Sequence, residues 1–235
     1  MPVFIAGLAG YVAGTILALT LDRLYTGAPL RGPLGFCAHG HTSHAVWAGT
    51  AGFLLMRGRC PSGCRLPARL WYLPLLGAAA AVAIALRAVD ARHAILLALF
   101  STFLTALVGT DFERHLLPNR LMYPALGLAV ALGWAWPGRT WLGSLEGGGL
   151  GFLVMLTAFV IFPNFGFGDV KLSALLGLLA GISHTLPALT IGILAGGIGA
   201  VFMLATRQAG RKSLMAYGPY LALGAFSGML LAAAR

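Results

Sequence analysis

Apolar residues along this 235-residue chain gather in long runs separated by short polar breaks. Runs of about 17 or more residues predict membrane-spanning helices. Eight such runs lie near 3–21, 70–86, 94–110, 121–136, 145–163, 170–184, 186–206 and 217–234. They predict an all-α polytopic membrane protein with about eight transmembrane helices. The sixth run is short, and only Gly181 and Pro187 punctuate its boundary with the seventh. The apolar stretch from Val46 to Met56 is too short to span and is expected at the interface or inside a small polar domain. The opening Met1-Pro2-Val3-Phe4 lacks the basic stretch of a secretory signal, so the first run reads as a retained helix. Three segments result: a first transmembrane helix over 1–21, a polar segment over 22–69, and a helical membrane domain over 70–235. Gly192, Gly196 and Ala200 repeat at a spacing that lets helices approach closely or that reflects glycine enrichment alone.

Composition agrees with this pattern. Hydrophobic residues make up 59% of the chain and charged residues 9%, against about 25% charged in soluble domains. The partner implied is the lipid bilayer. A net charge of +10 invites nucleic acid, but the sixteen basic residues form no stripe with interleaved aromatics, and that reading is rejected. Position matters more than the sum. Eight spans put Arg23, Arg31, Arg57, Arg59, Arg65, Arg69, Arg114, Arg120, Lys171, Arg207, Arg211 and Lys212 on one side, leaving four bases for the other. The rich side is expected to be cytoplasmic, with both termini on the outer side.

Only six acids occur: Asp22, Asp90, Asp111, Glu113, Glu146 and Asp169. Asp22, Asp90 and Glu146 read as solvated loop charges. Asp111 ends the third span, ahead of Leu117-Pro118-Asn119, and Asp169 opens the sixth in Gly166-Phe167-Gly168-Asp169. The span count sets both at the cytoplasmic face, at one depth. Two carboxylates meeting in a low-dielectric site share a proton. One then takes a proton from water while the other gives one to a peptide carbonyl. Gly166 and Gly168 suit such a site by letting backbone approach a substrate strand and by permitting positive φ. Lys171 joins them as a candidate substrate contact that helps hold Asp169 ionised, or serves as a snorkelling anchor. The plainer alternatives are a helix cap at Asp169 and an Asp111–Arg114 pair. Glu113 and Asp90 are expected to be dispensable for the chemistry.

These motifs resemble the type IV prepilin peptidases. Asp111 to Asn119 is similar to that family's Asp…Leu-Pro-Asp/Asn element, and Gly166-Phe167-Gly168-Asp169 to its Gly-x-Gly-Asp. Tyr217-Gly218-Pro219-Tyr220-Leu221-Ala222-Leu223-Gly224 resembles its closing motif, and Gly14 to Leu24 its first span. The resemblance implies an intramembrane aspartic endopeptidase of the bacterial inner membrane, with Asp111 and Asp169 catalytic. Its substrates would be prepilins or pseudopilins: a basic leader, a glycine before the cut, then an apolar helix. Many members also methylate the new N-terminus with S-adenosylmethionine.

The polar segment holds all three cysteines. Cys37 and His41, then Cys60 and Cys64, form two short pairs that suit tetrahedral zinc. His39 or His44 are alternatives to His41, and unliganded thiols are the alternative to zinc. The family often carries two Cys-x-x-Cys pairs here; this chain departs from that, which bears on methyl transfer. Two competing readings are a proton- or cation-coupled transporter using the same aspartates and a presenilin-like protease.

Overall fold

The structure is a computed structural model that describes residues 2–26, 48–60, 63–162, 166–206 and 216–232, with the side chains of 22 and 24–26 left aside. The described residues form nine α-helices: α1 (Pro2–Thr26), α2 (Thr50–Leu55), α3 (Arg69–Arg87), α4 (Ala91–Arg114), α5 (Asn119–Ala131), α6 (Trp141–Ile161), α7 (Phe167–Ala180), α8 (Ile182–Ala205) and α9 (Gly218–Leu231). A short 3-10 turn, Gly133–Ala135, follows α5. The chain is an all-helical polytopic membrane protein, as its apolar runs predict.

Five helices, α1, α3, α4, α6 and α8, are long and apolar enough to cross a membrane. The other three predicted spans are shorter than expected. Helices α5, α7 and α9 have 13, 14 and 14 residues, about 20 Å at 1.5 Å per residue, against a hydrocarbon core of about 30 Å. Local backbone explains two of the stops. Gly181 adopts φ 72°, a left-handed value that ends α7 one residue before α8 begins. Beyond Ala131 the chain tightens into the 3-10 turn, and Trp136-Pro137 then turn it away.

Helices pair through glycine. A Cβ at Gly10 of α1 would strike the Gly77 carbonyl of α3, and one at Gly77 would strike the Gly10 carbonyl. Gly147 of α6 and Gly177 of α7 are matched in the same way. Such contact lets two backbones touch, which is how helices associate where lipid removes the hydrophobic drive. A Cβ at Gly192 would meet the backbone of Tyr220 and Leu221 in α9, and one at Gly196 the ring of Tyr217 just before it, whereas Ala200, the third residue of that spacing, is exposed. The interior is filled by residues such as Phe100, Leu107, Met122, Leu175 and Leu179, while Ile5, Val160 and Ile198 point outward. The short α2 packs on α1 and α3: Thr50 donates to Trp71 O (2.7 Å), and Tyr11 Oη donates to Ala48 O (2.6 Å).

Polar contacts at the two ends fix an alternating direction of travel. At one end α3 meets α4 (Arg69–Glu113), α5 meets α7 (Asn119–Lys171) and α4 meets α9 (Asp111–Gly218). At the other, Arg139 from the α5–α6 connection donates to Leu179 O near the end of α7 and lies 4.4 Å over the Trp136 ring. Burial pulls the Arg139 guanidinium down to about 10, so it stays charged and suits the negative end of that helix. Asp90 is exposed just outside the helix, as its reading as a solvated loop charge expects, and it also caps α4 by accepting the His93 N–H (2.6 Å). Glu146, expected in a loop, is exposed on α6.

Candidate active site

Three chain segments build the site at the end where α4 stops and α7 and α9 start. His115 takes φ 52° and ends α4, its N–H donating to Asp111 O (2.8 Å). Leu116, Leu117 and Pro118 then carry the chain into α5, because proline disfavours helix in the residue before it and suits the start of the next. Asp111 is thereby held in the last turn of α4 and is 5% exposed. One of its oxygens, Oδ2, accepts the Gly218 N–H (2.8 Å). That N–H belongs to the first residue of α9, so the positive end of a helix faces this carboxylate. Its position sets the plain Asp111–Arg114 pair aside as the organising contact of the carboxylate.

Asp169 lies in the first turn of α7. Its Oδ2 accepts the Gly166 N–H (3.2 Å), and its own N–H donates to Gly166 O (3.0 Å). The carboxylate thus covers the free N–H of the N-cap Gly166 from the third helical position, the N3 half of a capping box; Asp169 is not itself the N-cap that the plainer alternative made it. This bonding coexists with a second relation, because Asp169 is within charge-repulsion reach of Asp111. The two carboxylates, 58 positions apart in the chain, lie at the same end of the helix bundle, as the span count predicts. His115 is within charge reach of Asp111, and Tyr217 of Asp169.

The glycines act differently from expectation. Gly166 has φ −87°, and positive φ is found at neither Gly166 nor Gly168. At Gly168 the requirement is steric: a Cβ would sit 3.2 Å from the Leu117 side chain, so its absence lets α7 close on the Leu-Pro-Asn turn. Lys171 is also reassigned. Its Nζ donates to Asn119 Oδ1 (2.9 Å) and Tyr123 Oη (3.0 Å) and lies over the rings of Tyr123 and Phe167. Two residues apart on a helix do not share a face, so Lys171 points away from the Asp169 carboxylate it was expected to hold ionised.

Gly218 and Tyr217 were read as family likeness only, yet they supply a hydrogen bond to Asp111 and a neighbour to Asp169. The available signal was Gly218-Pro219 at the head of an apolar run, a helix start that exposes backbone N–H groups. Beside the site, a mostly apolar groove of about 750 Å³ runs between α3, α4 and α9. Leu76, Leu104 and Phe226 line it, and Phe112 and Pro219, chain neighbours of Asp111 and Gly218, close one end.

Of the candidate metal ligands, Cys37 and His41 lie outside the described residues, as do His39 and His44. The Cys60 N–H donates to Cys64 O (2.7 Å), the Gly63 N–H donates to Cys60 O (2.8 Å), and the backbones of Arg59 and Arg65 form an isolated antiparallel bridge. Among the described residues no group of three or more His, Cys, Asp or Glu side chains gathers. Thiols are donors of the kind zinc takes, and Cys60 and Cys64 are the two of the four candidates that lie within the described residues.

Residues 98–201 match the type IV leader peptidase family. The chain is also similar to proteins named prepilin leader peptidase/N-methyltransferase. That of Aeromonas hydrophila is 30% identical over 190 residues, 76% of this chain and 64% of the relative. That of Pseudomonas putida is 28% identical over 187 residues, with the same coverage. That of Bacillus subtilis (strain 168) is 29% identical over 175 residues, 73% of this chain and 70% of the relative. The chain thus spans under two thirds of the first two relatives. No solved structure matches it. The competing transporter reading finds no support in these likenesses.

Proposed function

We propose, from the premise that residues 98–201 carry a type IV leader peptidase domain, that this chain is an intramembrane aspartic endopeptidase. It removes the basic leader from prepilin- or pseudopilin-like substrates. The observation that carries the reading is the convergence of Asp111 and Asp169 at one end of the helix bundle. Like charges that close resist joint ionisation, so the pair holds one shared proton. The ionised carboxylate takes a proton from water as the water oxygen bonds to the scissile carbonyl carbon. The protonated one donates to the carbonyl oxygen, giving a neutral tetrahedral adduct. On collapse one carboxyl gives its proton to the departing amine while the other carboxylate takes one from a hydroxyl of the adduct; the C–N bond breaks, the C=O bond re-forms, and the dyad again holds one proton. The groove ending at Phe112 and Pro219 offers apolar surface beside this chemistry.

The basic side of the bundle is the cytoplasmic face of a bacterial inner membrane in this reading, with both termini outward. The relatives' names support a second step, methylation of the new N-terminus with S-adenosylmethionine. Zinc held by Cys37, His41, Cys60 and Cys64 would brace the polar segment and stand apart from the hydrolytic step. One preparation tests all three parts. Purified protein is incubated with a candidate prepilin and S-adenosylmethionine, products are weighed by mass spectrometry, and bound metal is measured. Wild type should release the leader, and Asp111→Asn and Asp169→Asn should each abolish release while still inserting. Near-normal cleavage by Asp169→Asn sinks the mechanism. Cys60→Ser/Cys64→Ser should lose metal and keep most cleavage, with methylation hit harder. A wild type without zinc removes the metal part alone.

A further inference from the structure

The residue two places beyond each aspartate is charged and is engaged on the far side of its helix. Glu113 follows Asp111, and Lys171 follows Asp169. Residues i and i+2 on a helix lie about 200° apart at 3.6 residues per turn, so each charge faces away from its aspartate. Glu113 Oε2 accepts from Arg69 Nη1 (2.6 Å), and Glu113 Oε1 accepts the Arg69 backbone N–H (3.3 Å). The Arg69 and Glu113 side chains are only 8% and 18% exposed, and Arg69 Nε also donates to Ala18 O of α1 (2.8 Å). One guanidinium therefore ties the end of α4 to α1 and to the start of α3. Lys171 ties the start of α7 to α5 through Asn119 and Tyr123.

We propose that Glu113–Arg69 and Lys171–Asn119–Tyr123 are positioning anchors that set the separation of the two carboxylates, each holding its helix end from the face opposite the aspartate. This rests on the dyad reading above and goes beyond it. The Asp111 side is fixed to α1 and α3, and the Asp169 side to α5. The gap between the carboxylates is thus the difference between two separately anchored positions. Proton sharing needs that gap held closely, and a misplacement of about 1 Å can lower rate by about 100-fold.

The anchors are tested by steady-state cleavage of one prepilin by purified full-length protein across pH. Glu113→Ala, Asn119→Leu and Lys171→Met each remove one anchor. Each should lower kcat about 10- to 100-fold with KM little changed, the pattern of a lost transition-state arrangement. Coupled carboxylates titrate as a pair with split apparent values, so an opened dyad should also draw the acid and alkaline limbs of the kcat profile together. Glu113→Gln and Asn119→Asp keep an acceptor for Arg69 and Lys171 and should recover most of the rate and of the limb spacing. Should either of the first two variants fail to insert, Lys171→Met keeps the stem over Tyr123 and Phe167 and carries the test. Unchanged kcat and limb spacing, a change in KM alone, or conservative variants as damaged as the disruptive ones would each overturn the anchors. Asp111→Asn in the same assay separates the two readings. If it still cleaves, the dyad is wrong; if it is dead while anchor variants behave as wild type, only the anchors are wrong.

Discussion

Asp111 accepts a hydrogen bond from a residue 107 positions away, the Gly218 N–H. A Cβ at Gly218 would lie 2.7 Å from Asp111 Oδ2 and 2.9 Å from its Cγ. Gly218→Ala therefore leaves the N–H in place but forces the carboxylate off it. Cleavage should fall about 10- to 100-fold with insertion intact, read by product mass over time. An unaffected rate would mean the carboxylate has room to move. The two aspartates were legible because a chain with six acids leaves few candidates, and these two stand in Asp111…Leu117-Pro118-Asn119 and Gly166-Phe167-Gly168-Asp169 at ends of apolar runs set on one side by the span count. Their partners were not. Gly218 carries no chemistry in its side chain, and Arg69 looked like one more cytoplasmic base until α3 and α4 came side by side. Of the two roles read for Lys171, the anchor agrees with its contacts to Asn119 and Tyr123, whereas the pairing with Asp169 fails because neighbours in sequence face opposite sides of a helix.

The helix pairs that carry the site depend on backbone contact. Gly177 lies eight residues beyond Asp169 on α7, pressed against Gly147 of α6. Gly177→Leu must push the two helices apart, at about 1–3 kcal/mol for an overpacked interior, and should tilt the helix that bears Asp169. Gly149 is on the same α6, but a Cβ there meets nothing within 4 Å, so Gly149→Leu should be tolerated. Thermal unfolding in detergent, run beside cleavage, compares them. Equal midpoints would show that the α6–α7 contact is not what holds the pair. The existence of these elements could be read from apolar runs, but their ends could not. Hydropathy continues through Leu178, Leu179 and Ala180 without a break, whereas the helix stops at Gly181 because of its backbone angle. Likewise the 46–56 stretch was legible as non-spanning, while the docking of its described residues on Tyr11 and Trp71 depends on single hydroxyl contacts at Ala48, Ala51 and Thr50.

On the scale of the whole molecule, the membrane class and the meeting of two aspartates at one end follow from eight apolar runs alternating in direction. What that count conceals is inequality of length. Helix α4 has 24 residues and α8 has 24, while α5, α7 and α9 have 13 or 14. A bilayer meeting a segment shorter than its own hydrocarbon thickness thins around it or the segment shifts, at fractions of a kcal/mol per Å. Along α5, α7 and α9 the shortfall is about 10 Å against a typical core; α7 is buried among its neighbours, so the expected thinning lies against the exposed side of α5, at Tyr123 and Val130, and draws aqueous solvent toward the site. Acyl-chain length is then expected to be a variable of the proposed cleavage. Reconstituted into a series of phosphatidylcholine bilayers of increasing chain length, the protein should cleave fastest in the thinner members. It should slow as the hydrocarbon thickens and water must be drawn further in to reach the dyad. A rate independent of thickness would mean that neighbouring helices alone shape the water's route, and that lipid takes no part in admitting the reactant.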